Sequence, residues 1–290
     1  MKKSIFKGML IASLAFTTCF TAFGQSIKTP APSPAQTVTQ AFGLGEIKIE
    51  YSRPGVKDRV IFGDVVPFGK VWRTGANGAT KITIGEDVKI NGNAVAAGTY
   101  ALYTMPNQNE WTIMFYKDLT LGGDVGSYKQ ENELLRFNVK PTMLADKMEN
   151  LLFNVNNITS TTCNLELIWD KTKVSIPMST EIDAKIMKQI DKEMAPGDRK
   201  PYNTAATYYY DNGKDLNQAL IWSTKAVENN PDAYWMSHMK AKIQFKLKDY
   251  KGAIATAEMS RAKAEADQDD SYVKNNDKLI AEAKKAMGTK

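Results

Sequence analysis

The sequence predicts two folded parts of different class. Residues 46–178 read as a mainly β domain, an antiparallel sandwich or barrel-like fold, and residues 201–290 as an all-α domain of helical repeats. Three observations carry this. In the first part apolar and polar residues alternate with a period of two, the pattern of half-buried strands. Its short segments are separated by turn chemistry such as Asn91-Gly92 and Pro106-Asn107. Past Pro177 the apolar residues recur at helical spacing, and the stretch that begins at Lys214 repeats itself from Lys248.

Residues 1–24 read as a secretory signal. Lys2, Lys3 and Lys7 precede the apolar run 9–20, and the small residues Ala22 and Gly24 stand three and one before Gln25. The run is too short to span a bilayer, which takes about 20 apolar residues. Thr18 stands where a lipidated Cys19 requires a small residue, which argues against a lipid anchor. The segment carries three Lys and no acid. Its removal at Gly24 lowers the charge from +6 to +3 and leaves Cys163 as the only cysteine. The expected location is periplasmic or extracellular. Residues 25–45 read as a linker, because Pro30, Pro32 and Pro34 fix φ and remove donors.

In the β domain, Ile47, Ile49 and Tyr51 alternate with Lys48, Glu50 and Ser52. Further strands are expected at 80–84, 88–95, 99–104, 111–116, 134–140, 151–155, 164–169 and 173–176. Breaks fall at Gly85-Glu86-Asp87, Asn91-Gly92, Ala97-Gly98, Pro106-Asn107, Asn156-Asn157 and Asp170-Lys171. Many short strands with no helical period between them imply antiparallel sheets.

Residues 179–200 are expected to hold a connecting helix and linker. Ile182, Ile186, Ile190, Met187 and Met194 form one apolar face, and Ala195-Pro196-Gly197-Asp198 stops it. Then Lys214-Asp215-Leu216-Asn217-Gln218-Ala219-Leu220 finds its counterpart in Lys248-Asp249-Tyr250-Lys251-Gly252-Ala253-Ile254. Counted from Pro231, Tyr210 occupies an aromatic place and Ala219 and Ala226 two small ones. The second copy keeps Ala253, with Gln244 in the aromatic place and Ser260 in the other small one. A last helix is expected over 276–287. Residues 201–290 resemble tetratricopeptide repeats, whose unit length equals the offset from Lys214 to Lys248. The resemblance implies stacked helical hairpins binding a peptide or bracing a neighbour. Two units and a cap offer little concave surface, which favours bracing or self-association.

The most unusual segment is the loop-rich run 51–77. It reads Y-S-R-P, then F-G, then V-P-F-G-K-V-W-R-T-G-A-N; later come I-N-G, A-G-T-Y-A-L-Y-T-M-P and W-T-I-M-F. With these strings residues 46–178 resemble an exported bacterial family known as domain of unknown function 2911. The resemblance implies a β-rich extracytoplasmic domain and supplies no activity.

The candidate ligand-binding residues come from that run: Arg53, Lys57, Arg59, Trp72, Arg73, Thr74 and Asn77. Arginine offers a planar fork of donors to carboxylates, phosphates or carbonyls, and tryptophan an aromatic plane for a sugar or guanidinium. The same residues serve equally to knit a long loop onto a sheet, with Trp72 as a core plug and Asn77 as a turn former.

Composition excludes several classes. One His and two Cys rule out multi-His and Cys/His zinc sites and a disulfide scaffold. Residues 25–178 hold 16 basic and 15 acidic residues, and 179–290 hold 19 and 17, so neither part has a nucleic-acid footprint. No metal or other cofactor is implied, and no transmembrane segment. His238 is the single His, and a Ser-His-Asp triad would need it to reach across domains. Glu110, Asp118, Asp124, Glu131 and Glu133 fall in or near turns, and Cys163 in a strand. The expectation is therefore a non-enzymatic interaction or binding module of the cell envelope, with protein partners or self-association through the repeats. The alternative is a small-ligand or carbohydrate-active domain, hydrolytic or not, centred on Arg53, Trp72, Arg73 and Asn77.

Overall fold

A computed structural model describes residues 29–197 and 200–288; the expected signal, 1–24, lies outside the described residues. The chain divides into two compact units between Ser179 and Thr180.

Among the described residues the first unit holds ten strands: β1 (Ala35–Phe42), β2 (Gly45–Ser52), β3 (Thr80–Ile84), β4 (Val88–Ile90), β5 (Asn93–Val95), β6 (Gly98–Met105), β7 (Trp111–Tyr116), β8 (Glu133–Val139), β9 (Thr142–Asn156) and β10 (Thr162–Ser179). All pair antiparallel, in a six-stranded sheet β1-β2-β3-β6-β7-β8 and a four-stranded sheet β5-β4-β10-β9. The two sheets share one apolar core. Ile47, Ile49, Ile82, Ile113 and Phe115 from the first meet Leu151, Phe153, Leu165, Leu167 and Ile176 from the second, and each is almost fully buried. The alternation read in β2 is the inward–outward alternation of its side chains: Ile47, Ile49 and Tyr51 are buried while Lys48 and Glu50 keep partial access.

Three features differ from the sequence expectation. Strand β1 occupies the second half of the stretch expected to be linker, paired from Ala35↔Ser52 to Phe42↔Gly45. Its Thr- and Gln-rich composition is that of an edge strand, whose ladder is satisfied on one side only. The expected strand 88–95 is the hairpin β4–β5, closed by Asn91 and Gly92 at φ 47° and 81°. Segments 164–169 and 173–176 are one strand, β10. Asp170 is left-handed at φ 53°, and the register with β9 shifts on both sides of it. The turn signal thus becomes a bulge, because β9 runs on past it from Asn156 down to Thr142 and holds both halves in one ladder.

Among the described residues the second unit holds six helices: α1 (Asp183–Glu193), α2 (Tyr202–Asp211), α3 (Leu216–Asn229), α4 (Tyr234–Lys246), α5 (Tyr250–Ala266) and α6 (Asp270–Gly288). Asp215 caps α3 by accepting from the Asn217 and Gln218 amides at 2.8 and 3.3 Å. Asp249, at the same place in the second copy, caps α5 through Gly252 N at 3.0 Å. Ala219, Ala226 and Ala253 are buried, and Ser260 is fully enclosed with its hydroxyl donated to the Tyr234 carbonyl at 2.7 Å. Gln244, in the aromatic place of the second copy, is held by polar partners instead, donating to Asp249 and accepting from Thr256. The carbonyl of Pro231 accepts a bond from Lys263 Nζ. Helix α6 starts earlier than expected because the Asp269 carboxylate caps it, bonded to Ser271 N and Tyr272 N.

Candidate functional site

The run from Arg53 to Ala79 crosses from β2 to β3 with only isolated bridges to its neighbours, Gly55↔Asn150 and Trp72↔Thr104 among them. Its backbone must find partners elsewhere, and its side chains supply many of them. Tyr51 donates to Gln36 and accepts from Phe153 N at 3.1 Å, tying β2 to the other sheet. Arg53 donates Nε to the Leu151 carbonyl at 2.9 Å. Arg59 donates to the Val56 and Gly55 carbonyls at 3.1 and 2.7 Å. Lys57 has an exposed side chain, and it is its main-chain N–H that bonds Glu149 at 2.8 Å. That bond is the main reason the Glu149 carboxyl stays below its ordinary range.

Trp72 is buried. It stacks on Trp169 with centroids 5.8 Å apart, meets Phe62 and Trp111 edge to face, and donates Nε1 to the Gly75 carbonyl at 3.1 Å. Thr74 is fully buried at φ 55°, its hydroxyl against Trp72 O and Thr104 Oγ1 and its carbonyl accepting from Thr80 Oγ1. Asn77, left-handed at φ 62°, donates to Ser52 Oγ at 3.1 Å. Arg73 is half-buried, and its Nε is out of solvent with no hydrogen-bond partner among the described residues. The structure therefore brings Trp72 and Thr74 together inside the core. It directs Arg53 and Arg59 at different carbonyls and leaves Lys57 at the surface.

An open concavity of this unit lies beside the run and is built mostly from residues the sequence did not single out. A cleft of about 240 Å³ is floored by Phe62, Phe68 and Trp111 and edged by Asn107, Gln108 and Asp170. Gly69 N bonds the Pro106 carbonyl at 2.9 Å, which seats the loop against the β6–β7 turn. The turn strings Pro106-Asn107 and Asp170-Lys171 were the available signals. Neither says that the two meet.

In the helical unit a groove of about 260 Å³ is lined by Tyr210, His238, Lys242, Phe245, Lys278 and Glu282 from α2, α4 and α6. The Lys242 and Lys246 ammonium groups lie 4.7 and 4.5 Å from the centre of the Tyr210 ring. Asn276 donates Nδ2 to the Tyr272 carbonyl and to Ser260 Oγ, both at 2.9 Å. A carbonyl only accepts, so the Asn276 amide orientation is set and its Oδ1 faces His238 Nδ1 at 2.8 Å. Nδ1 thus carries the proton, and neutral His238 has Nε2 as a bare acceptor. Burial lowers the His238 pKa below its ordinary value.

The family described as Protein of unknown function (DUF2911) matches residues 33–178. The chain belongs to this family. No curated protein and no solved structure matches it. The DUF2911 region begins upstream of Glu46, so β1 is part of it, and it takes in the run 51–80 and the cleft but not the helical groove.

Two other polar constellations lie within the DUF2911 region. Residues 117–132 fold over the outer face of the six-stranded sheet, where Tyr103, Tyr116 and Tyr128 form a cluster with centroids 4.7 to 5.3 Å apart. Tyr103 donates to the Gly122 carbonyl, and burial pushes its phenol up to about 12. Tyr128 donates to Glu133, which Arg136 also grips from two nitrogens at 2.6 and 2.8 Å. Burial works against the Glu133 carboxylate, but the bonds from Arg136 and Tyr128 outweigh it and hold it low. Of the other acids singled out, Glu110 accepts from Asn138, Asp118 from Thr120 and Asp124 from Ser127. Cys163 is buried, which pushes its thiol up to about 11, far from a reactive thiolate. Among the described residues no group of three His, Cys, Asp or Glu could hold a metal ion, and no helix is long and apolar enough to cross a membrane.

Proposed function

We propose that the protein is an exported, non-enzymatic binding module of the cell envelope. Its helical hairpins act as tetratricopeptide-like repeats that hold an acidic peptide segment in the groove between α2, α4 and α6. The groove is the observation that carries this. It is concave, and of its charged lining residues Lys242 and Lys278 outnumber Glu282. Neither lysine is ion-paired among the described residues, so both are available to a carboxylate. The aromatic rings of Tyr210 and Phe245 beside them suit the apolar part of a peptide. The equivalent caps at Asp215 and Asp249 and the burial of Ala219, Ala226 and Ala253 support the repeat reading. The basic start and short apolar run of residues 1–24 support export.

The test is fluorescence anisotropy on the full mature chain with fluorescein-labelled hexaglutamate and hexaglutamine. Hexaglutamate binds, hexaglutamine does not, and the double variant Lys242→Met, Lys278→Met loses at least tenfold in affinity. Equal binding of the two peptides, or an unchanged affinity in the variant, overturns the assignment.

A further inference from the structure

The β unit's cleft is chemically distinct from the groove and belongs to a different part of the chain. Phe62 meets Trp111 edge to face with centroids 4.8 Å apart, and Phe68 closes the other side. Phe68 is seated by a backbone device. Gly63 sits at φ 102°, and a Cβ there would stand 2.8 Å from the Phe68 ring, so only glycine lets that ring lie across the chain. Val60 and Met143, 66% and 71% exposed, form an apolar lip.

Asp170 is the one ionisable residue lining the cleft. It is partly buried, and its carboxylate has neither an ion pair nor a hydrogen bond among the described residues. It stands at the left-handed bulge of β10, where the register shift turns it out of the regular alternation. Strain of this kind persists where the surrounding ladder holds it, as β9 does on both sides here. A carboxylate unpaired among the described residues, beside three aromatic rings and with the Asn107 and Gln108 side chains lining the same space, has the charge and the faces to receive a cation.

We propose that this cleft binds a small organic cation, an ammonium or guanidinium group on a short aliphatic stem. Asp170 meets the charge, the Asn107 and Gln108 amide oxygens accept its remaining N–H groups, and the stem lies against Phe62, Phe68 and Trp111. A volume of about 240 Å³ corresponds to several water volumes of about 30 Å³, enough for such a fragment and too small for a folded partner. The complementarity is of charge as well as shape, which separates this ligand class from a neutral sugar or an alkyl chain.

The experiment is a two-dimensional NMR titration of the labelled full chain with n-butylguanidinium and n-butylammonium chloride. 1-Pentanol serves as the neutral isostere and glucose as the sugar control. The cations produce saturable shifts at the Trp111 indole and at the Asn107 and Gln108 side-chain amides. Asp170→Asn, which keeps the left-handed backbone at no steric cost, weakens them at least tenfold with an unchanged thermal midpoint, and Phe68→Leu weakens them at least threefold. Three results overturn the proposal: equal shifts with 1-pentanol or glucose, undiminished cation binding in Asp170→Asn, or no saturable shift at Trp111 with either cation.

Discussion

Replacing Trp72 by alanine separates the two roles its sequence context allowed. The side chain keeps only 9% of its surface, stacks on Trp169 and spends its one donor on Gly75. A large aromatic buries about 150–250 Å². At about 25 cal/mol per Å² this is an upper bound of about 4–6 kcal/mol, and truncations of this kind cost about 3–5 kcal/mol. The buried Gly75 carbonyl also loses its donor, at about 1 kcal/mol. The expected loss is about 4 kcal/mol, a large share of the roughly 5–15 kcal/mol that holds a domain together. Trp72→Phe keeps a ring against Trp169 but still strands the carbonyl, and costs about 1–2 kcal/mol. The assay is a urea titration of the full chain followed by amide resonances of β6 and β7, which reads the β unit apart from the helices. The Thr104 amide, bonded to the Trp72 carbonyl at 3.0 Å, is the most direct reporter. A loss under about 1 kcal/mol for Trp72→Ala would refute the core role and return the ring to a ligand-facing one.

Two further outcomes are expected. Gly123→Ala places a Cβ 2.5 Å from the Asn77 carbonyl oxygen, a main-chain atom that cannot swing aside. It should cost about 1–3 kcal/mol, with thermal midpoints falling by about 2–4 °C per kcal/mol; an unchanged midpoint would show that residues 117–132 do not pack on the 72–80 loop. His238 is the chain's only histidine, so its imidazole resonances are unambiguous, and they should titrate below the ordinary value because burial disfavours the charged ring. The unfolded chain then takes up the proton first. Stability should therefore decline as pH drops through about 6.5 towards the folded pKa, with no loss above that window. A midpoint at or above about 6.5 would contradict the burial.

Much of the β unit was readable because its signals are local. Alternation in Ile47, Ile49 and Tyr51 reports which face of β2 is inward whatever the neighbouring strand is. β1 was missed because an edge strand half open to water needs little apolar alternation, and Val38 and Phe42 are too sparse to reveal it beside the prolines. Of the residues put forward as ligand contacts, the chemistry was legible and the destination was not. The donor fork of Arg59 suits an anion in sequence, yet it meets two carbonyls of its own loop. The cleft was not legible at all, since Phe68, Asn107, Met143 and Asp170 come from four separate segments.

The sequence by itself determined the two-part division and the β and α classes, because hydrophobic periodicity acts within a few residues. Only the tertiary structure decided whether Asp170-Lys171 would be a hairpin turn or a bulge. The left-handed backbone is the same in both, and the choice lies with β9, which extends past the turn and keeps both halves of β10 in one ladder. That choice sets the Asp170 carboxylate, unpaired among the described residues, at the edge of an aromatic cleft.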